Sequence, residues 1–236
     1  NWRAAFGAVS VLGLVAAAVA WRVYPSGLKV APLSLRSWGD VLGNARLRWT
    51  LLATMVWFSG HFALGGYITA ALREGLQASP STQAMLMVLM GIAGVAGNVA
   101  LTRSVARMGA DRGARVSLSI VLTGLALWVL AYSWVQTVWA VALAMLVWGL
   151  GSFAFNSSQQ ARLAQSAPGL ASASIALNSS SLYAGQALGA AVGAALVAGA
   201  GYDTLGPTAL VVGGLAMACS LLADRAVRAQ PSAAHQ

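Results

Sequence analysis

Long apolar runs separated by short polar stretches set the pattern of this chain. The runs fall at roughly 4–21, 49–72, 84–102, 116–132, 138–160, 170–200 and 205–223. Each approaches the ~20 residues that a helix needs to cross ~30 Å of hydrocarbon. The pattern predicts an all-α membrane protein with seven transmembrane helices. The longest polar connection, 25–48, holds Pro25, Gly27, Pro32, Gly39 and Gly43 and reads as a basic linker with a short surface helix near Leu35–Leu42. The tail beyond Arg228 (AQPSAAHQ) is polar and is expected to be disordered.

Composition agrees with the pattern. The 236 residues are 58% hydrophobic and only 8% charged, where a soluble domain carries about 25% charged residues. The net charge of +9 is not the footprint of nucleic-acid binding, because the basic residues lie between apolar runs rather than on one aromatic-interleaved face. Arg22, Lys29, Arg36, Arg46, Arg48, Arg103, Arg107, Arg112, Arg115, Arg162, Arg225 and Arg228 all fall in alternate connections, on one side of the membrane. Only Arg3 and Arg73 fall on the other. The positive-inside rule makes the first side cytoplasmic, which puts the N-terminus outside and the C-terminus inside; the expected location is the cell (inner) membrane. A signal peptide over 1–20 would place the basic linker outside, against that rule, so this stretch is read as a true span. The opening Asn1-Trp2-Arg3 reads as a fragment or a processed product.

The chemistry of enzymes is poorly represented. Asp40, Glu74, Asp111, Asp203 and Asp224 lie in connections or at span ends, and HExxH and GxSxG are absent. His61 and His235 are the two histidines and Cys219 is the one cysteine, so no metal cluster at the usual spacings and no internal disulfide can form. The expectation is a protein without catalytic residues, metal or other cofactor, whose partners are the lipid bilayer and a small molecule. A retinal protein needs a lysine in its last span, and the single lysine, Lys29, is in the linker. A seven-span receptor remains as an alternative, as does a half-transporter that does not transport alone.

An internal repeat weakens the receptor reading. Val56-Trp57-Phe58-Ser59-Gly60-His61-Phe62-Ala63 and Val147-Trp148-Gly149-Leu150-Gly151-Ser152-Phe153-Ala154 both fit V-W-x-x-G-x-F-A. The copies are three spans apart and so cross the membrane in opposite directions. Inverted three-helix repeats are a building principle of transporters. Spans two to seven then form a 3+3 bundle, and the chain divides into a single helix at 1–24, a linker at 25–48, a six-helix bundle at 49–225 and a tail at 226–236. Polar groups at membrane depth are the default candidates for a site. They are His61, the one ionisable residue well inside a span, Tyr67, Asn156, Asn178 and Tyr183. Gln159 and Gln160 are expected at the membrane surface. Trp57 and Trp148 lie deep and could stack on a substrate, with core packing as the default. Gly185, Gly189 and Gly193, every fourth residue, are expected to let helices approach closely.

Several stretches carry a family resemblance. N-W-R-A-A-F at 1–6, G-H-F-A-L-G-G-Y-I-T-A-A-L-R at 60–73, W-G-L-G-S-F-A-F-N-S-S-Q-Q-A-R-L-A at 148–164 and N-S-S-S-L-Y-A-G-Q-A-L-G-A-A-V-G at 178–193 resemble helices six, seven, ten and eleven of the major facilitator superfamily. The likeness is to its drug/proton antiporter branch, which includes bacterial sugar and nucleoside efflux permeases. R-S-V-A-R-M-G-A-D-R-G-A-R at 103–115 resembles the second, weaker copy of that family's basic cytoplasmic loop motif, which involves Arg107, Asp111, Arg112 and Arg115. Either Asp111-Arg112 is the Asp-Arg pair, or Arg107 takes the Arg place with Ala106 replacing the Asp. In that family such residues brace helix ends and gate the inward state. The resemblance implies helices six to twelve of a twelve-helix, proton-coupled efflux protein, with helices one to five of the N-terminal six-helix half as the missing partner.

Overall fold

A computed structural model describes residues 2–24 and 34–228 of the protein. Asn1, the linker residues 25–33 with Lys29, and the tail at 229–236 lie outside the described residues. Regular structure among the described residues is helical throughout. The helices are α1 (Trp2–Val23), α2 (Leu35–Gly43), α3 (Ala45–Gly65), α4 (Ile68–Leu76), α5 (Pro80–Met108), α6 (Ala110–Leu130), α7 (Val138–Ser166), α8 (Ala171–Ala200) and α9 (Leu205–Arg228). Seven segments are long and apolar enough to cross a membrane: Phe6–Val23, Ala45–Leu76, Pro80–Val105, Ala110–Val135, Val138–Ser166, Pro168–Ala200 and Tyr202–Ala226. They match the seven predicted runs one to one.

The starts of helices follow local chemistry. Asn44 Oδ1 accepts the Leu47 N–H at 3.2 Å, and Ser79 Oγ accepts the Thr82 N–H at 3.2 Å with Pro80 in the first turn. Each cap satisfies one of the N–H groups that a helix leaves open. Two boundaries differ from the expected ones. The basic stretch 103–115 is not a loop: α5 runs to Met108, α6 starts at Ala110, and Gly109 alone turns the corner at φ +82°. Glycine accepts that backbone region and L side chains rarely do. The second span is broken, with Gly66 and Tyr67 between α3 and α4.

The chain divides into two compact units, 1–32 and 33–236. The first contains α1, whose 22 residues rise about 33 Å, enough to span hydrocarbon. The second contains α2 to α9. Its packing follows the sequence repeat. α3 lies along α8 and α9, while α7 lies along α5 and α6. The first helix of each three-helix repeat is thus clasped by the last two helices of the other, as a two-fold relation between repeats requires. Aromatic residues fill the middle: Trp57, Trp128, Trp148 and Phe155 are all essentially fully buried. The surface helix expected near Leu35–Leu42 is α2. It rests on α3 and α8 and seats Val41 among Leu47, Leu51, Leu163 and Ala173.

Close helix contact is bought with small residues, since burial against lipid-like side chains gives little drive for association in a membrane. A Cβ on Gly185, Gly189 or Gly193 of α8 would fall on the carbonyl oxygen of Met55, Ser59 or Ala63 of α3. Both series step by four residues in the same chain direction. The two helices therefore run parallel, as two spans separated by an even number of crossings must.

Candidate functional site

Two clefts open beside α3 and α7. One, of about 270 Å³, lies between α3, α5 and α7 and is walled by Phe62, Met87, Met90, Trp148 and Phe153, with four glycines and His61. The other, of about 370 Å³, is more polar, with Asn98, Ser152, Asn156 and Ser157 beside Trp57 and Phe58. His61, Ser152 and Phe153 line both. No lining residue of either cleft carries a carboxylate, guanidinium or ammonium group.

His61 sits in an aromatic cage. Its ring centroid is 5.1 Å from that of Trp148, 5.2 Å from Trp57, 5.4 Å from Phe62 and 6.1 Å from Phe58. Its Nδ1 and the Trp148 Nε1 are buried without a hydrogen-bond partner. A buried polar atom left unpaired costs free energy, and among the described residues the third such side-chain atom is Arg46 Nε, in the charge cluster described below.

The five predicted binding residues separate. His61 and Asn156 line the clefts. Tyr67 and Tyr183 line neither: the Tyr67 hydroxyl donates to the Ala190 carbonyl at 2.9 Å, and Tyr183 is 67% exposed on α8. Asn178 is buried in a polar chain described below. Ser152 and Phe153 were not singled out as binding residues, and Trp148 only as a possible stacking surface, although Trp148 and Phe153 belong to the repeated V-W-x-x-G-x-F-A.

A charge cluster occupies the Arg-rich end of the bundle. Arg162 of α7 is fully buried. Its Nε donates to Asp111 Oδ1 at 2.7 Å, and its other nitrogens reach Ser220 Oγ and the Ser220 carbonyl at 3.0 Å and the Asp224 carboxylate. Arg46 donates to both Asp111 oxygens at 3.1 Å, and Arg115 pairs with Asp224. Four helices, α3, α6, α7 and α9, are tied together here. Of the four motif residues expected from the sequence, Asp111 and Arg115 are in the cluster. Arg107 and Arg112 are exposed and make no ion pair with Asp111. Arg46, Arg162 and Asp224 were missed as members. Their partners lie far away in sequence, and no spacing rule reveals them.

Gln159 is a correction to the expected surface position. It is fully buried, whereas Gln160 is exposed. Burial is possible because each end of its amide has a partner: Nε2 donates to the Thr50 carbonyl at 3.0 Å and to Thr54 Oγ1 at 3.2 Å, and Oε1 accepts from Arg162 at 3.5 Å.

A six-helix bundle of two inverted three-helix repeats, with clefts beside the first helix of each repeat, is an architecture on which membrane transporters are built. Comparison with known proteins names the family. The Major Facilitator Superfamily profile matches residues 1–190, and the chain belongs to that superfamily. It is 30% identical to the "Inner membrane transport protein YdhP" of Escherichia coli K12, over 98% of this chain and 58% of that protein. It is 25% identical to a "Probable sugar efflux transporter" of Helicobacter pylori HPAG1, over 92% of this chain and 54% of that protein. A protein of the same description in Helicobacter acinonychis is 26% identical, over 92% and 54%. The chain spans about half the length of these relatives.

Proposed function

We propose that this chain is the C-terminal half of a proton-driven exporter of small, uncharged organic solutes. The observation that carries the reading is the pair of clefts meeting at His61, Ser152 and Phe153. An apolar ring suits the aromatic and thioether walls of one cleft, and hydroxyl or amide groups suit the asparagines and serines of the other. Binding sites of this kind combine mostly apolar walls with a few placed polar groups. Export, rather than import, is inferred from the relatives described as efflux transporters. Proton coupling rests on the resemblance to drug/proton antiporters. The Arg162 cluster at the Arg-rich end serves as the brace of helix ends that the family motif implies, and the positive-inside rule places it at the cytoplasmic face.

The test uses the complete protein that contains this chain, overproduced in a bacterial host and assayed for reduced accumulation of a panel of neutral aromatic solutes. His61→Ala and Trp148→Ala are expected to reduce export at least tenfold while membrane insertion is retained. Export that is unchanged in both variants would sink the site. Export that persists when the proton gradient is collapsed would sink the coupling.

A further inference from the structure

The polar groups between the clefts and the charge cluster form a single file. Arg162 donates to Gln159 Oε1 at 3.5 Å, Gln159 Nε2 to Thr54 Oγ1 at 3.2 Å, Thr54 Oγ1 to Asn178 Oδ1 at 2.8 Å, and Asn178 Nδ2 to Asn156 Oδ1 at 3.4 Å. Gln159, Thr54 and Asn178 are at most 1% exposed. The links alternate between helices: α7, α3, α8 and back to α7.

Every link points the same way, and two groups with one role each are the reason: the Thr50 carbonyl, which only accepts, at 3.0 Å, and the Arg162 guanidinium, at 3.5 Å. Arginine only donates, so Gln159 must turn its oxygen towards Arg162 and its nitrogen towards α3. Reversing that amide would set N–H against N–H at Arg162 and oxygen against oxygen at the Thr50 carbonyl. Thr54 receives a hydrogen from Gln159 and has one of its own to give. Its alternative acceptor, the Thr50 carbonyl, is 3.3 Å away, against 2.8 Å for Asn178 Oδ1, and already accepts from Gln159. The hydroxyl hydrogen therefore goes to Asn178 Oδ1. Asn178 must then offer its nitrogen to Asn156 Oδ1. The last amide in the file, Asn156, lines the polar cleft, and its Nδ2 is left without a partner among the described residues.

We infer that Asn156 is a hydrogen-bond donor to the substrate, selecting solutes that carry an uncharged oxygen acceptor, and that Thr54, Gln159, Asn178 and Arg162 are positioning residues that hold it in that sense. This deepens the proposed function and rests on it. Hydrogen bonds in a head-to-tail chain polarise one another in a low-dielectric interior, which strengthens the final N–H donor. The site would thus discriminate by acceptor strength rather than by ring shape.

The experiment measures binding of benzamide and thiobenzamide to the complete protein in lipid nanodiscs, by saturation-transfer NMR titration. The two probes share a ring and an amide nitrogen, and the thiocarbonyl is the weaker acceptor. Benzamide is expected to bind more tightly than thiobenzamide. Asn156→Ala and the near-isosteric Thr54→Val should each weaken benzamide about three- to tenfold, the worth of one hydrogen bond, and change thiobenzamide less than twofold. Thr54→Ser, which restores the hydroxyl, should recover benzamide binding. Equal losses for both probes would assign these residues a structural role only and overturn the inference. So would unchanged benzamide binding in Thr54→Val, or a wild-type protein that binds neither probe. The export assay is read independently: a loss of export in His61→Ala together with failure here would retain the transporter and discard the acceptor rule.

Discussion

At the scale of single residues, burial decides which charges matter. Arg162 is fully buried and Asp224 is 12% exposed, whereas the Arg115 side chain is 36% exposed. Asp224→Asn should therefore be far more damaging than Arg115→Gln. The first leaves a buried guanidinium with one carboxylate fewer and should lower stability by about 3–5 kcal/mol. The second removes a half-exposed partner and should cost about 0–1 kcal/mol. Thermal unfolding in detergent, followed by tryptophan fluorescence, separates the two; equal losses would mean that the cluster does not behave as a buried one. Only part of this was legible in the sequence. His61 and Asn156 could be singled out because polar residues inside apolar runs are rare and stand out. The sequence reading puts Gln159 at the membrane surface and Arg162 in a connection, because residues near a span end look the same whether they face water or fold inward. What draws them in is a set of partners, Thr50, Thr54, Ser220 and Asp224, supplied by helices distant in sequence.

At the scale of helices, contact between α3 and α8 depends on three glycines in register with three carbonyls. Gly189→Val should force the pair apart, because the added atoms meet the Ser59 carbonyl and the Ala63 backbone. Overpacking of this kind costs about 1–3 kcal/mol. Gly199→Ala lies in the same helix, where an added Cβ meets nothing within 4 Å, and should be neutral or slightly stabilising by helix propensity. Melting temperatures of the two variants check this, and a Gly199→Ala variant as unstable as Gly189→Val would refute the contact argument. The four-residue spacing was visible in the sequence. Its partner was not, since α5, α7 and α9 are also rich in small residues.

At the scale of the whole molecule, the charge pattern predicts sidedness. A membrane-impermeant thiol reagent should label Arg107→Cys only from the cytoplasmic face and Gln77→Cys only from the opposite face, in a background with Cys219 replaced. The reversed result would overturn the orientation. Two determinations can now be separated. The sequence alone determined the number of spans, their approximate limits, the inverted repeat and the family, because hydrocarbon imposes one length and one periodicity on every crossing, and these are local properties. Tertiary structure alone decided that each repeat's first helix is clasped by the other repeat, that the basic stretch turns on Gly109, and that the polar residues divide into clefts and a buried chain. Those outcomes depend on which side of each helix meets which neighbour, and in a bundle where nearly every position is apolar or small, hydropathy does not distinguish one side from another.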